Sequence, residues 1–247
     1  MASTMILSLL ILLASAVSAS AHSTQDECQR KLGAKGVRVR IPPNFITADH
    51  GHHGRPWPVP PVGFYFKPWS MILASNPQYA AMRNVQYDPT PIDASDPSGL
   101  VNDLFSFQFP GNDSIITTYG VDTPHPYSPA VLDYAGTGIL VGATSQYIIL
   151  VWGCDANKVP YYASYSTAAE FTDTPPGIDL MSTSDKGPDQ GTINAVVKAL
   201  KNLGSDEITT YAEAMERMVQ DGGRRGMPRA TCDNYCKSNQ GLIGIIG

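Results

Sequence analysis

The stretch that most limits what this chain can fold into is residues 69–185, where apolar residues come in short runs interrupted by Pro, Gly, Asp and Asn. Residues 104–109 (LFSFQF) alternate large apolar and polar side chains, which is typical of a strand with one buried face. Residues 146–152 (QYIILVW) are nearly all apolar, as in a central strand. Further strands are predicted at residues 114–119, 138–142 and 161–171.

Two amphipathic helices are predicted after these strands. Apolar residues recur at helical spacing between Pro188 and Gly204, and Ser205 can cap a second helix that ends at Gly222 and Gly223. Strands that are followed by helices, rather than alternating with them, favour an antiparallel sheet or barrel with the helices packed outside it.

A proline-rich N-terminal arm precedes the strands. Residues 41–68 contain seven prolines, a density that blocks helix interiors and central strands. The arm also holds His50, His52 and His53, which are weak candidates for metal ligands because imidazole binds zinc and copper. Since they lie beside glycines in a context without fixed geometry, we interpret them as a solvated loop and predict no metal site.

The first 21 residues have the features of a cleavable secretory signal. They carry no charge, include the apolar run MILSLLILL and end in Ala19-Ser20-Ala21, a typical cleavage site. We therefore expect a secreted, extracellular protein of residues 22–247. No later stretch approaches the roughly 18 apolar residues that a membrane helix requires. Seventeen basic and 22 acidic residues give a formal charge of −5, so the composition gives no electrostatic case for nucleic acid as a partner.

The cysteines predict two disulfides, because an even number of cysteines in an exported chain meets an oxidising compartment. They are Cys28, Cys154, Cys232 and Cys236, and three pairings are open. Asn112-Asp113-Ser114 is an N-glycosylation acceptor after a predicted exposed turn, so Asn112 is the expected glycan site.

Three stretches carry a resemblance to a known family. Gly63-Phe64-Tyr65 or Lys67-Pro68-Trp69 begins an apolar run similar to the G-x-W opening of that family's first strand. Residues 146–154 resemble its seventh strand, which runs into a cysteine, and residues 178–204 resemble its last strand, turn and amphipathic helix. On these residues the chain resembles the lipocalins, in particular the apolipoprotein D-like branch.

The resemblance implies a mainly β fold, an eight-stranded antiparallel up-and-down barrel just wide enough for one small ligand. The barrel and its helix would cover residues 63–204, between an N-terminal extension at 22–62 and a C-terminal helix and Cys-containing tail at 205–247. The resemblance also implies that Cys28 pairs with Cys154, which leaves Cys232 and Cys236 to each other or to a rearranged scheme.

One feature of the family is missing. Lipocalins usually place an arginine at the end of the last strand, stacked on the tryptophan of the first, and residues 161–184 contain no arginine. The arginines that follow, Arg224, Arg225 and Arg229, are interpreted as a solvated loop.

Seven side chains are predicted to line the barrel and contact a ligand. They are Trp69, Phe105, Phe107, Tyr147, Ile149, Val151 and Tyr162. Strict alternation places Tyr147, Ile149 and Val151 on one face of their strand, and Ile148, Leu150 and Trp152 on the other. The implied function is the transport of a small hydrophobic compound, such as a pigment, sterol, fatty acid or odorant, with no other cofactor. Core packing without a ligand is the alternative for the same residues.

Two other functions compete with transport. In an extracellular matrix or structural protein, the barrel would be a scaffold and the arm would contact the matrix partner. In an enzyme, a catalytic set would be required, and the sequence has no G-x-S-x-G motif. Asp122, Asp133, Asp155 and Asp179 are interpreted as turn or strand-end residues that serve turn geometry. We therefore predict that the protein is not an enzyme.

Overall fold

The computed structural model describes residues 60–61, 63–125 and 130–245. The signal, Cys28 and the three arm histidines lie outside these residues. The described strands are β1 (Trp69–Ala74), β2 (Arg83–Tyr87), β3 (Thr90–Pro91), β4 (Val101–Gln108), β5 (Ile116–Pro124), β6 (Val131–Gly136), β7 (Thr144–Cys154), β8 (Pro160–Ser166), β9 (Gly177–Ser182) and β10 (Glu216–Arg217). The helices are α1 (Gln190–Lys201), α2 (Asp206–Glu213) and α3 (Asn234–Lys237). No helix in this part of the chain is long and apolar enough to cross a membrane.

Eight strands form a closed barrel. Each of β1, β2 and β4–β9 pairs antiparallel with the next, and β1 also pairs with β9, with Met71 opposite Met181 and Ala74 opposite Asp179. Closure removes the free edges that an open sheet would expose. The two-residue strands β3 and β10 extend β4 and β1. The predicted lipocalin-like fold, an up-and-down barrel with C-terminal helices, is confirmed.

Two apolar clusters lie on opposite faces of the barrel wall. The inner cluster fills much of the barrel, whereas the outer cluster joins β7, β8 and β9 to α1 and α2. Ile193, Val196 and Leu200 of α1 are all buried against this outer face. Because β7 is covered on both sides, residues 146–152 need apolar side chains at nearly every position.

The second helix is shorter than predicted. Ser205 caps it as expected, since its Oγ accepts from the Ile208 N–H at 3.3 Å, but α2 ends at Glu213. The next residues return to the barrel, where β10 pairs with β1 and the Met218 N–H donates to the Ile72 carbonyl at 3.0 Å. Hydrogen bonds to β1 therefore replace the last predicted turns of the helix.

The strand predicted at residues 138–142 is wrong. Gly138–Leu140 forms a 3-10 helix, and the strand of this region is β6 instead. Gly138 has a φ of 56°, and a Cβ there would lie 2.1 Å from the Ser238 carbonyl oxygen. The glycine thus permits close approach of the C-terminal tail. The strand predicted to reach residue 171 also ends early, at Ser166.

Of the three arginines interpreted as a solvated loop, Arg225 is exposed, but Arg224 and Arg229 are structural, which corrects the prediction for these two. Arg224 is 6% exposed, and its Nη1 donates to the Ser106 Oγ at 2.8 Å. Arg229 donates to the Asp88 carboxylate at 2.7 Å and to the Trp69 carbonyl at 2.8 Å. An arginine therefore does reach the first-strand tryptophan, but it comes from the C-terminal segment rather than from the last strand.

Removing Arg229 should destabilise the barrel. Arg229→Met leaves the mostly buried Asp88 carboxylate without its cation, and we expect unfolding to become easier by about 2–3 kcal/mol. This loss of stability lies at the low end of the range for broken buried ion pairs, because the Arg229 side chain is itself 32% exposed. Urea denaturation at pH 7 measures the change, with the exposed Arg225→Met as the control. Equal effects of the two substitutions would contradict this assignment.

The covalent features lie at the barrel's periphery. Cys232 and Cys236 are disulfide-bonded to each other, with their Cα atoms 5.1 Å apart. Cys154 is also in a disulfide, and its expected partner Cys28 lies outside the described residues. Asn112 is exposed in the turn between β4 and β5, where a glycan would meet solvent.

Candidate ligand site inside the barrel

One end of the barrel is filled by the chain that precedes β1. Phe64 packs with its ring centroid 5.4 Å from that of Trp152 and 5.8 Å from that of Trp69. The Trp69 indole N–H donates to the Tyr65 carbonyl at 2.7 Å, which fixes the incoming segment across this end. We call this the closed end.

We call the other end the mouth. The β1–β2, β4–β5, β6–β7 and β8–β9 connections surround it, as the alternating direction of the strands requires. Register places Phe105 opposite Thr118 on the inner wall, and both side chains keep accessible surface. Tyr147 also faces inward and is partly exposed. Part of the accessible surface near this end therefore belongs to inward-facing side chains.

Six of the seven predicted lining residues belong to the inner cluster: Trp69, Phe105, Phe107, Tyr147, Ile149 and Tyr162. Trp69 and Tyr162 are fully buried and cross edge to face, with their ring centroids 4.7 Å apart. The Tyr147 hydroxyl donates to the Tyr162 hydroxyl at 2.8 Å. These residues therefore form a connected aromatic wall from the closed end toward the mouth.

Val151 is the exception, and its predicted face is wrong. A β-bulge shifts the register of β7 against β8 between Ile149 and Val151. One extra residue on a strand reverses the faces that follow it. Val151 consequently joins the outer cluster beneath the helices, and Trp152 turns inward to Phe64.

Sequence reasoning missed a polar cluster deep in the barrel. Asp122 is fully buried and accepts from the Tyr87 hydroxyl at 3.3 Å, and the Tyr65 hydroxyl forms a hydrogen bond with that of Tyr87. Asp103 faces the same interior from β4, where it pairs with Gly120, two residues from Asp122. Two carboxyls and two phenols are thus grouped in this part of the interior.

Burial governs the protonation of these carboxyls. It raises the pKa of Asp103 to about 6, although the polar groups of Tyr87 and Asp122 act in the opposite direction. It raises the pKa of Asp122 well above the ordinary range, and the neighbouring charge of Asp103 adds to the effect. Burial thus disfavours the charged form of both carboxyls.

A third carboxyl faces inward on β9. Asp179 is 5% exposed and lies opposite Ser164 of β8 and Ala74 of β1. Burial raises its pKa to about 7. Its Oδ1 atom is buried and has no hydrogen-bond partner among the described residues.

These positions correct the interpretation of the aspartates as turn residues. Asp122 and Asp179 lie within strands with their side chains inside the barrel. Asp155 does serve a turn, because its Oδ1 accepts from the Asn157 and Val159 N–H groups at 2.8 Å. Asp133 accepts from Gln146 at 3.0 Å on the outer surface.

A second concavity lies outside the barrel. It has a volume of about 990 Å³ and is bordered by residues of β5–β7 and the loop after β8, including Tyr134, Gln146 and Phe171. This depression is wide open to solvent. In the described part of the chain, no group of three His, Cys, Asp or Glu side chains could hold a metal ion, and the arm histidines lie outside that part.

Comparison with known proteins adds one sequence relative and several distant structural ones. No family model matches the sequence. Botcinic acid biosynthesis cluster B protein 12 of Botryotinia fuckeliana is 28% identical over 214 residues, which cover 82% of this chain and 92% of that protein.

The similar solved structures include one that is described as a lipocalin. H1 crustacyanin from the lobster Homarus americanus is 14% identical with a TM-score of 0.45, covering 75% of this chain and 88% of its own. The siderocalin Ex-FABP is 9% identical with a TM-score of 0.43, covering 64% and 95%. A dog lipocalin allergen is 12% identical with a TM-score of 0.38, covering 69% and 98%. The fold of this chain rests on its own strand pairing, and the apolipoprotein D-like branch stays a prediction.

Proposed function

We propose that this protein is a lipocalin-like carrier that binds one small hydrophobic molecule inside its barrel through the mouth. The observation that carries the proposal is the accessible surface of the inward-facing Phe105, Thr118 and Tyr147. A well-packed core would leave little such surface on large side chains. Space beside an aromatic wall is what an apolar ligand requires.

The expected strength of binding follows from the apolar area that a ligand would bury. About 300 Å² of apolar ligand surface corresponds to roughly 7 kcal/mol at about 25 cal/mol per Å². Part of this gain offsets the loss of freedom on association, so affinities in the micromolar range are reasonable.

We further infer that the protein acts outside the cell. The uncharged apolar N-terminus with its A-x-A site supports export. The Cys232–Cys236 disulfide and the bonded state of Cys154 fit an oxidising compartment, and the exposed Asn112 fits glycosylation. A matrix role would depend on the arm, which lies outside the described residues, so the structure adds no support for it.

Catalysis is the second candidate. Asp103 and Asp122 face inward from the neighbouring strands β4 and β5, and neighbouring carboxyls can exchange a proton with a bound molecule. The sequence relative is named for a biosynthesis cluster, which keeps an enzymatic role open. Conversion of a bound compound, followed by mass spectrometry and lost in Asp103→Asn, would favour this candidate over simple transport.

The carrier proposal is tested by titrating the protein with the uncharged fluorescent probe N-phenyl-1-naphthylamine. We expect saturable binding at one probe per chain with quenching of the buried Trp69. Phe105→Ala removes part of the accessible wall and should weaken binding by about tenfold. The matched control, Ile92→Ala, changes a side chain that is 46% exposed outside the barrel and should leave affinity unchanged. The carrier proposal fails if the probe does not saturate, or if the two variants bind equally.

A further inference from the structure

The barrel interior contains three carboxyl groups that form no ion pair with the described residues. Asp103, Asp122 and Asp179 all face inward from different strands. Among the described residues, no Lys or Arg forms an ion pair with any of them, and the ion pairs found there involve other carboxylates. An apolar ligand would leave these carboxyl groups without a cationic partner.

Two of these carboxyls have an oxygen that lacks a donor. Asp122 is 0% exposed and Asp179 is 5% exposed, and the Oδ1 of each is buried with no hydrogen-bond partner in the described part of the chain. A buried acceptor without a donor costs about 1–3 kcal/mol, and the cost is greater when the group is charged. A ligand that supplied the missing donors would recover that energy.

The surroundings of Asp179 are aromatic. Tyr79, on the β1–β2 connection at the mouth, packs near Phe105 with their ring centroids 5.8 Å apart. Burial raises the pKa of Tyr79 and of Tyr147, and the charge of Asp179 adds to the effect on both. Ring faces near Asp179 can stabilise a cation that this carboxylate binds.

We infer that the barrel selects a hydrophobic amine, whose protonated nitrogen is held by the unpartnered carboxylate of Asp179 near Tyr79 and Tyr147 while its apolar body lies against Phe105. This inference rests on the proposed carrier function and specifies the class of ligand. An ammonium group supplies up to three donors and one positive charge, which are the two properties that the interior lacks. An alcohol supplies only one donor and no charge, and a carboxylate ligand would be repelled.

The experiment compares three naphthalene compounds of similar size as competitors of N-phenyl-1-naphthylamine at pH 7.5. They are 2-(1-naphthyl)ethylamine, 2-(1-naphthyl)ethanol and 1-naphthylacetate. We expect the amine to bind at least tenfold more tightly than the alcohol, and the carboxylate to bind most weakly. The inference is overturned if the amine binds no more tightly than the alcohol.

Substitutions test whether Asp179 is responsible for the preference for the amine over the alcohol. Asp179→Asn keeps the shape of the side chain but removes its charge, so it should reduce the amine's advantage about tenfold and change alcohol binding by less than twofold. Asp133→Asn, on the outer surface, is the matched control and should retain the full advantage. If Asp179→Asn does not fold, Asp179→Ser also removes the charge and provides the same comparison. Retained selectivity in the folded interior variant would contradict the inference.

The binding results distinguish a failure of the amine inference from a failure of the carrier proposal. If the uncharged probe and the alcohol bind but the amine has no advantage, the amine inference is wrong and the carrier proposal stands. If none of the compounds, including the probe, binds saturably, the carrier proposal itself is wrong.

Discussion

Asp179→Asn is expected to raise the free energy of unfolding by about 2–4 kcal/mol at pH 8 and to leave it nearly unchanged at pH 4. In the folded barrel, burial raises the pKa of Asp179 from 3.8 to about 7. In the unfolded chain the same carboxyl ionises near pH 4. Between these values the folded protein holds a proton that the unfolded chain releases, so rising pH favours unfolding.

The sign of the effect is therefore opposite to that of a salt-bridged carboxylate. The contribution of Asp179 to stability is most favourable below pH 4, declines as pH rises toward 7, and is constant above that. Urea denaturation of the wild type and Asp179→Asn at several pH values between 4 and 8 measures the difference. Asp133→Asn serves as the control, because its side chain lies on the outer surface beside Gln146. Parallel pH profiles of the wild type and Asp179→Asn would show that Asp179 is not buried as described.

The second large effect is expected at the closed end. Trp69→Ala should reduce the free energy of unfolding by about 4 kcal/mol, because it removes a fully buried indole that no neighbouring side chain can replace. The indole packs on Tyr162 and Phe64, and its N–H holds the Tyr65 carbonyl at 2.7 Å. The substitution thus also releases the segment that covers this end.

Trp152→Ala provides the comparison. Trp152 also contacts Phe64 but is partly exposed, so a loss roughly half as large is expected when both proteins are unfolded with urea at pH 7. If Trp152→Ala costs as much as Trp69→Ala, the closed end does not depend on Trp69 as described.

Much of the fold was predictable because the apolar patterns that indicate strands and helices are local and recur along the sequence. Alternation in β4 and the continuous apolar run in β7 each indicate a strand, and the helices that follow indicate a barrel covered on one side. The bulge in β7 was not predictable, because the sequence around Ile149 and Val151 contains no glycine or other local sign of an extra residue. A single bulge was enough to exchange the faces of Val151 and Trp152.

The inward-facing positions of the three aspartates were only partly predictable from the sequence. Asp103 stands two and four residues before Phe105 and Phe107, so strict alternation already places it on their face of β4. For Asp122 and Asp179 the strands had to be placed first, since both were interpreted as residues of turns or strand ends. The partners of Arg229 could not be predicted, because Asp88 lies 141 residues away in the chain.

The central claim is that the barrel interior receives one ligand through the mouth. Its most direct test is native mass spectrometry of the full chain, expressed through a secretory pathway and saturated with N-phenyl-1-naphthylamine. Thr118→Trp places a large ring on the inner wall opposite Phe105, whereas Thr123→Trp places it on the exposed outer surface of the same strand. We predict one bound probe per chain in the wild type and in Thr123→Trp, and none in Thr118→Trp. Equal loading of all three proteins, or no bound probe in the wild type, would contradict the claim.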